Sequence, residues 1–170
     1  TATVLGWIEP DWPAPPHVRV LSTLRGGGVS EGPYASLNLA GHVGDRTDAV
    51  AANRLLLREA ARLPAEPLWL EQVHGTAVVR HEGVLAAPPC ADAAVSFDPG
   101  RVCAVMTADC LPVVFADRAG TRVGVAHAGW RGLVGGVLQA TIEALEVPPV
   151  ELHAWLGPAI GPADFEVGPE

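Results

Sequence analysis

The alternation of hydrophobic and polar positions divides the chain into a helical stretch, a block of short strands and a second helical stretch. Residues 47–62 contain no Gly or Pro, are rich in Ala and Leu, and end before Pro64. This pattern predicts a helix with Thr47 or Asp45 at its cap. A second helix is predicted over about 130–146, before a pair of prolines.

Between the two predicted helices, short runs rich in β-branched residues are separated by turn residues. These runs are 68–70, 77–79, 93–97, 102–106, 113–115 and 123–125. Further strands are predicted at 18–23, among Pro and Gly residues, and at 152–156, before a loop over 157–162. Consecutive strands flanked by helices favour the α+β class over a regular β-α-β alternation.

Composition narrows the functions that this fold can carry. The chain has 170 residues, of which 49% are hydrophobic, so we expect residues 1–170 to form a single domain. A net charge of −8 argues against nucleic-acid and membrane-surface partners. All 11 basic residues are Arg. The lack of Lys excludes a Walker A lysine and a pyridoxal Schiff base, so Arg, backbone N–H groups or a metal must hold any bound anion.

The cysteines and the N-terminus bear on the compartment. Cys90, Cys103 and Cys110 are an odd number without a C-x-x-C motif, which predicts reduced thiols and a cytoplasmic protein. Cys90 and Cys103 are expected in the core. No apolar run approaches the ~20 residues of a membrane span, and no charged segment of a signal peptide is seen. Thr1 resembles an N-terminal nucleophile, although removal of an initiator Met explains it more simply.

Three candidate metal ligands are His74, Cys110 and His127, each expected to close a predicted strand. Two imidazoles and a thiolate suit zinc, and three protein ligands leave a fourth position open, as in catalytic sites. The spacings of 36 and 17 residues do not force these side chains together. A Cys-His nucleophilic pair, with Cys110 attacking, uses the same residues and is nearly as well supported by spacing.

Nine ordered blocks of sequence are more specific than the spacing. They are residues 24–30, 33–39, 42–45, 53–54, 72–75, 91–93, 107–112, 127–132 and 157–162. Together they closely resemble the laccase-domain (YfiH-type) family of purine nucleoside phosphorylases, also described as polyphenol oxidases and as peptidoglycan editing factors. The resemblance covers roughly residues 18 to 170.

The resemblance implies a four-layer α/β/β/α sandwich with mixed sheets and a zinc ion held by His74, Cys110 and His127. It also implies phosphorolysis of adenosine, inosine, guanosine and methylthioadenosine, and deamination of adenosine. Members of the family usually continue for several dozen residues beyond the block at 165–168, so we expect this chain to lack a C-terminal segment. The chain also departs from the family at Ala163 and Asp164, where Cys is common.

The histidine content shows whether the chain can be a four-copper laccase. A four-copper oxidase needs about ten histidines, many in His-x-His pairs. This chain has 6 histidines and no such pair, which excludes a four-copper laccase. A single Cu²⁺ at the zinc ligands remains chemically reasonable, so copper-dependent polyphenol oxidation stays an alternative.

Phosphorolysis requires a site for phosphate, and forked Arg donors suit it. Arg25, Arg54 and Arg131 are the candidates, and Arg131 lies near a predicted helix start, where free N–H groups favour anions. For Arg54, a solvated stripe shared with Arg58 and Arg62 is an equally good interpretation.

Deamination requires a carboxylate that moves protons between water and ammonia, and Asp109 is predicted for this role. Strand alternation would point Asp109 and Cys110 to opposite faces unless the chain turns there. Asn38 and His42 are predicted to contact substrate or orient a ligand, with an Asn-centred turn as the other interpretation.

We expect a monomer that takes a purine nucleoside and phosphate. Two further hypotheses stay open. Cys110 could be the nucleophile of a Cys-His hydrolase or amidase in peptidoglycan precursor editing. The chain could also be a non-catalytic module that binds a metal or ligand.

Overall fold

Strand pairing and three helices organise residues 5–168, the part of the chain that the computed structural model describes. Thr1 lies outside these residues. The helices are α1 Thr47–Ala60, α2 Trp130–Gly135 and α3 Val137–Ala144. The strands are β1 Trp7–Ile8, β2 Ser22–Thr23, β3 Val78–Arg80, β4 Ala93–Ser96, β5 Leu111–Asp117, β6 Val123–Ala128 and β7 Leu152–Leu156. Short 3₁₀ turns lie at Gly32–Tyr34 and Pro149–Glu151.

Five strands form the main sheet in the order β3-β4-β6-β5-β7. β3 and β4 are parallel, whereas β4-β6, β6-β5 and β5-β7 pair antiparallel, so the sheet is mixed. β1 and β2 form a separate antiparallel pair. The predicted α+β class with mixed strand directions is confirmed.

One face of the main sheet packs against α3. Alternate residues of β4, β5 and β6 point to this face, as the period of two in a strand requires. Val95, Val113 and Phe115 form its core with Val137 of α3 and Leu145, all of them buried. This cluster fixes the three strands on which the candidate site depends.

The other face of the sheet is covered by extended segments and then by α1. Leu68 and Leu70 pack with Ala94 of β4, whereas the intervening Trp69 packs in the cluster that holds Leu57 of α1. This alternation places the segment between the sheet and α1. The layer order is therefore helix, sheet, extended segments and helix, as the α/β/β/α expectation requires.

The helix predicted over 47–62 is present as α1, although its N-cap is Arg46 rather than Thr47 or Asp45. Asp45 instead accepts a hydrogen bond from the Arg46 N–H at 2.8 Å. The carboxylate thus stabilises the turn before the helix rather than its first N–H groups.

The helix predicted over 130–146 is wrong as one element, because the structure has two helices there. Gly136 separates α2 from α3 with a φ of 101°, in the left-handed region that an L side chain rarely adopts. Its N–H still bonds the carbonyl of Gly132 at 2.9 Å, so it ends one helix and begins the next.

Two predicted strands are reduced to single bridges and one is shortened. The predicted strands at 68–70 and 102–106 meet only at Leu68 and Cys103, and that at 18–23 remains only as β2. β1 was not predicted, because a pair of residues carries no periodicity. The strand predicted at 152–156 is confirmed as β7. Within the described residues, no helix has both the length and the apolarity to cross a bilayer.

Candidate metal centre

The register of three strands brings two of the candidate ligands, Cys110 and His127, together with Asp92 at one end of the main sheet. Leu111 pairs with Ala128, so Cys110, just before β5, lies opposite Gly129, just after β6. Likewise Ala93 pairs with Ala126, which places Asp92 opposite His127. The backbone N–H of His127 donates to the carbonyl of Asp92 at 2.7 Å.

Three side chains form one compact cluster. The ligand atoms of His74, Cys110 and His127 all lie within 4.8 Å of one another. The Cys110 Sγ is 3.9 Å from His74 Nε2, and the two imidazole rings meet edge to face with centroids 4.8 Å apart. His127 is buried, whereas His74 is exposed, so the cluster is closed on the sheet side and open on the other.

The structure revises where these ligands sit relative to the strands. Cys110 lies in a bend that precedes β5, and His127 is the fifth of the six residues of β6. His74 follows no regular strand. The prediction that each ligand closes a strand is therefore wrong, because the predicted strands before His74 and Cys110 do not form and β6 continues past His127 to Ala128.

A buried carboxylate that was given no role in the sequence analysis anchors both histidines. Asp92 is fully buried, and its Oδ1 lies 2.8 Å from His127 Nδ1. It also accepts hydrogen bonds from the backbone N–H groups of Val73, His74 and Gly75 at 2.7 to 3.1 Å. Burial acts to raise the pKa of Asp92, but the four hydrogen bonds outweigh it and lower the pKa below its ordinary value.

Gly129 leaves the space that the ligands share. A Cβ at this position would lie 3.0 Å from both the Cys110 Sγ and the His74 Cδ2. The backbone of Gly129 has φ −62° and ψ 160°, which any residue can adopt. Glycine is therefore favoured here by the close approach of the ligands and not by its dihedral angles.

Gln72 links the segment that contains His74 to the segment that leads to Cys110. Its side-chain amide donates to the carbonyl of Met106 at 2.8 Å, and its Oε1 accepts the N–H of Met106 at 2.7 Å. On the other side, the Ile160 N–H donates to the carbonyl of Asp109 at 2.9 Å, which places the 157–162 loop beside the ligand bend. Backbone segments therefore surround the cluster on two sides.

The donor set fits a single metal ion. Zinc bonds of about 2.0–2.3 Å place the ligand atoms of one ion within about 4.6 Å of each other, close to the observed spacing. Burial raises the pKa of the Cys110 thiol above its ordinary value, and the carboxylates of Asp109 and Asp92 raise it further. A cation beside the sulfur has the opposite effect and favours the thiolate.

Two other predicted site residues lie in the chain next to the cluster. Asp109 is exposed in the same bend as Cys110, so the chain does turn there. Arg131 is the second residue of α2, two positions after Gly129, and its guanidinium lies 4.6 Å from the ring of Trp130. Catalysis by Asp109 and phosphate binding by Arg131 stay predictions.

The remaining predicted residues belong to a second region, which we call the glycine-rich loop, residues 25–46, and to the helix beneath it. Arg25 donates to the carbonyls of Ala35 and Pro33 at 2.6 and 3.2 Å. Asn38 forms a turn with Ala40 and donates to Asp45 at 2.9 Å. The interpretation of Asn38 as the centre of a turn is thus confirmed.

Arg54 is not simply part of a solvated stripe. Its Nε and Nη2 both donate to the carbonyl of Leu39, at 2.9 and 2.8 Å, and its guanidinium stacks 4.1 Å from the ring of Trp69. His42 is exposed in the turn of the glycine-rich loop. Substrate contacts for Arg25, Asn38, His42 and Arg54 stay predictions.

The two cysteines outside the cluster differ from each other. Cys103 packs beside the Leu68 cluster, and burial raises the pKa of its thiol to about 12, as expected for a core thiol. The core prediction for Cys90 is wrong, because Cys90 is exposed at an isolated bridge with Glu71. All three cysteines are free.

Asp92 and Gln72 were the functional residues that sequence reasoning missed. Both lie in blocks that carried the family resemblance, at 91–93 and 72–75. The usable clue for Asp92 was a carboxylate among small apolar residues at the start of a strand that is buried throughout. A buried carboxylate requires several donors, and its position beside a strand end could have suggested a supporting role.

The sequence of this chain is similar to one family model and to purine nucleoside phosphorylases of two bacteria. Residues 19–170 match the family model described as multi-copper polyphenol oxidoreductase laccase. A purine nucleoside phosphorylase of Pseudomonas aeruginosa is 57% identical over 166 residues, which cover 96% of this chain and 66% of the relative. The purine nucleoside phosphorylase YfiH of Escherichia coli is 56% identical over 163 residues, covering 96% of this chain and 67% of the relative.

Solved structures show the same fold. The crystal structure of the Neisseria meningitidis protein NMB0706, of family DUF152, is 56% identical with a TM-score of 0.90, covering 95% of this chain and 66% of that one. YlmD from Geobacillus stearothermophilus is 32% identical with a TM-score of 0.78, covering 96% and 67%. The chain therefore spans about two thirds of the length of these relatives.

Proposed function

The chain belongs to the family described as multi-copper polyphenol oxidoreductase laccase, and we propose that it holds the zinc of an enzyme that acts on purine nucleosides. The observation that carries this proposal is the cluster of His74, Cys110 and His127, whose ligand atoms lie within 4.8 Å of one another. Relatives that are more than half identical are named purine nucleoside phosphorylases, which supports the substrate class.

The proposed main reaction is phosphorolysis. An oxygen of phosphate bonds to the anomeric carbon of ribose while the bond from that carbon to the purine nitrogen breaks, and its electron pair leaves with the purine. The products are ribose 1-phosphate and the free base, which takes up the proton of the hydrogen phosphate. When bound by two imidazoles and a thiolate, zinc supplies a Lewis acid with one open position.

The residues of the chain have distinct proposed tasks. Arg131 binds and orients phosphate, because it is the second residue of α2, two positions after Gly129, and its planar donors suit a dianion. Arg25 and Arg54 already donate to backbone carbonyls, so their part in phosphate binding would require those bonds to be shared. Asn38 and His42 contribute polar groups from the glycine-rich loop.

Deamination of adenosine is proposed as a second reaction of the same centre. A water oxygen bonds to purine C6, the bond from C6 to the amino nitrogen breaks, and ammonia and inosine are the products. One water proton ends on the ring nitrogen N1. Asp109 moves the other to the leaving nitrogen, because its carboxylate is exposed in the bend that carries Cys110.

The other hypotheses have less support. A nucleophilic cysteine needs a lowered pKa, whereas burial and two carboxylates raise that of Cys110. A four-copper oxidase needs about ten histidines, and the chain has 6. Metal analysis distinguishes a single copper ion at the same ligands from zinc. Cytoplasmic location, a monomeric state and the absence of nucleic-acid and membrane partners stay predictions.

The proposal is tested by purine release from inosine and adenosine with and without phosphate, on protein of known metal content. We expect one zinc per chain and hypoxanthine release from inosine that requires phosphate. Ammonia release from adenosine without phosphate reports deamination. The Cys110→Ala variant should lose both zinc and purine release.

Cys90→Ala is the matched control, because Cys90 is an exposed thiol outside the cluster. It should keep zinc content and activity. Purine release that survives chelation and Cys110→Ala would overturn the proposal. So would a zinc-loaded chain that releases no purine with phosphate present, which favours a binding module. Loss of activity on thiol alkylation of a metal-free active protein would favour the hydrolase.

A further inference from the structure

We propose that Asp92 is a positioning residue that sets both histidine ligands for the metal before the metal binds. This inference rests on the metal centre proposed above. Its basis is that one buried carboxylate contacts His127 through its ring and His74 through its backbone. No other carboxylate among residues 5–168 has a hydrogen bond to either histidine in the structure.

Every contact that Asp92 makes through its carboxylate is with a donor. Oδ1 receives the His74 N–H and faces His127 Nδ1, while Oδ2 receives the N–H groups of Val73 and Gly75. An ionised carboxylate is acceptor-only, so it can satisfy all four donors. An amide of the same size would turn its NH₂ group toward at least one of these donors.

The contact with His127 fixes which ring nitrogen can bind the metal. Because a carboxylate cannot donate, Nδ1 must carry the proton in the hydrogen bond of 2.8 Å. Nε2 is then left with its lone pair for the metal. His127 is 3% exposed, so the packed ring has little room to turn and present the other nitrogen.

The contact with His74 holds a backbone conformation that histidine rarely adopts. His74 has a φ of 60°, in the left-handed region, which is unfavourable for a residue with a side chain. Three successive N–H groups, those of Val73, His74 and Gly75, surround the Asp92 carboxylate. These bonds offset the cost and direct the His74 ring toward Cys110.

Asp117 offers a matched comparison. It is also buried and accepts hydrogen bonds from the backbone N–H groups of Thr121 and Arg122 and from the Thr121 hydroxyl, at 2.7 to 2.9 Å. It closes the turn between β5 and β6 at the end of the sheet away from Cys110. A purely structural role for a buried carboxylate is therefore represented elsewhere in the same chain.

The test compares Asp92→Asn with Asp117→Asn in a zinc competition titration against a chromophoric chelator. We expect zinc affinity to fall about 10–100-fold in Asp92→Asn and to change by less than about twofold in Asp117→Asn. Both variants should lose stability to urea. Equal zinc affinity in Asp92→Asn and the wild type would overturn the inference, as would an equal loss in both variants.

A second measurement needs no variant and no activity. In metal-free wild-type protein, ¹⁵N NMR should show His127 as the Nδ1–H tautomer, and the amides of Val73, His74 and Gly75 should exchange slowly. A mixed tautomer or fast exchange at these amides would contradict the inference. Failure of the chain to catalyse phosphorolysis would leave these results unaffected, so the two proposals fail separately.

Discussion

The metal centre and the glycine-rich loop use their polar residues differently. At the metal centre, the pairing of β4, β6 and β5 and the side chains of Asp92 and Gln72 bond the local backbone, so Cys110 and the Nε2 of His127 remain available for a ligand. In the glycine-rich loop, the backbone forms turn hydrogen bonds but belongs to no strand. There the side chains of Arg25, Asn38 and Asn53 bond to further backbone carbonyls.

The difference teaches that a polar side chain in an irregular segment is as well suited to form hydrogen bonds with the backbone as to bind a ligand. Asn53 is fully buried in α1 and bonds to the Val29 N–H, the Ser30 hydroxyl and the carbonyls of Ser36 and Asn38. It therefore replaces the hydrogen bonds that a sheet would supply. The predictions below test whether the two regions are separable.

The largest effect is expected for Asn53→Ala. The substitution leaves several buried loop groups without partners, so we expect a loss of about 3 kcal/mol in the free energy of unfolding. Zinc affinity should stay within about twofold of the wild type, because the centre is built on other elements. Urea unfolding and zinc titration measure the two quantities. A parallel loss of zinc binding in folded protein would show that the regions are coupled.

Gly129→Ala should have the opposite effect: a lower affinity for zinc and little change in the stability of the fold. The added Cβ would lie 3.0 Å from the Cys110 Sγ and the His74 Cδ2, so the ligands must separate. We expect a cost of about 1–2 kcal/mol, which is about tenfold in the zinc dissociation constant.

Gly26→Ala is the control for Gly129→Ala. A Cβ at Gly26 would have no heavy atom within 4 Å, so zinc binding should be unchanged. Equal zinc affinity in Gly129→Ala and the wild type would contradict the view that the ligands share the space above this glycine.

Arg54→Lys distinguishes a backbone partner from a phosphate ligand. Lysine keeps the charge but lacks the fork that donates twice to Leu39, and it stacks less well on Trp69. We expect a loss of about 1 kcal/mol in stability, with the KM for phosphate within about twofold. A large rise in the phosphate KM at unchanged stability would instead support the phosphate role.

The smallest effect is expected for Asp45→Asn, and it depends on pH. Hydrogen bonds from Ser30 and Asn38 lower the pKa of Asp45 below its ordinary value. A lowered pKa in the folded state contributes stability that is present above the ordinary carboxyl pKa and is lost as the pH falls through the folded value.

The stability difference between wild type and Asp45→Asn should therefore be largest near neutral pH and shrink in acid. Urea unfolding at pH 7 and at pH 3 measures it. A difference that grows as the pH falls would contradict the assigned contacts of Asp45.

The sequence predicted those features of the molecule that depend on the residues of one short segment alone. The helix at 47–62 follows from an uninterrupted stretch of helix-forming residues. The three ligands follow from the metal-binding chemistry of Cys and His and from the short sequence blocks that contain them. Their convergence could not be derived, because it depends on the pairing of Leu111 with Ala128 and of Ala93 with Ala126, and for His74 on the hydrogen bond to Asp92. Strand register is a property of the whole sheet.

Other features were beyond sequence reasoning for similar reasons. The division of the second helix depends on Gly136 taking a positive φ, which glycine permits but does not require. The roles of Asn53 and Asp92 depend on which backbone groups lack partners after folding. The predicted strand at 102–106 has the right composition but meets its neighbour at only one residue.

The central claim is that strand register, together with the hydrogen bonds of Asp92 to the segment of His74, assembles a one-ion centre with one thiolate and two imidazoles. Titration with Co²⁺ tests it most directly, because a thiolate ligand adds a charge-transfer band in the near ultraviolet to the visible bands of a tetrahedral ion. We predict one Co²⁺ per chain with both features, loss of the charge-transfer band in Cys110→Ala, and an unchanged spectrum in Cys103→Ala. Binding without a thiolate band, or a spectrum unaffected by Cys110→Ala, would contradict the claim.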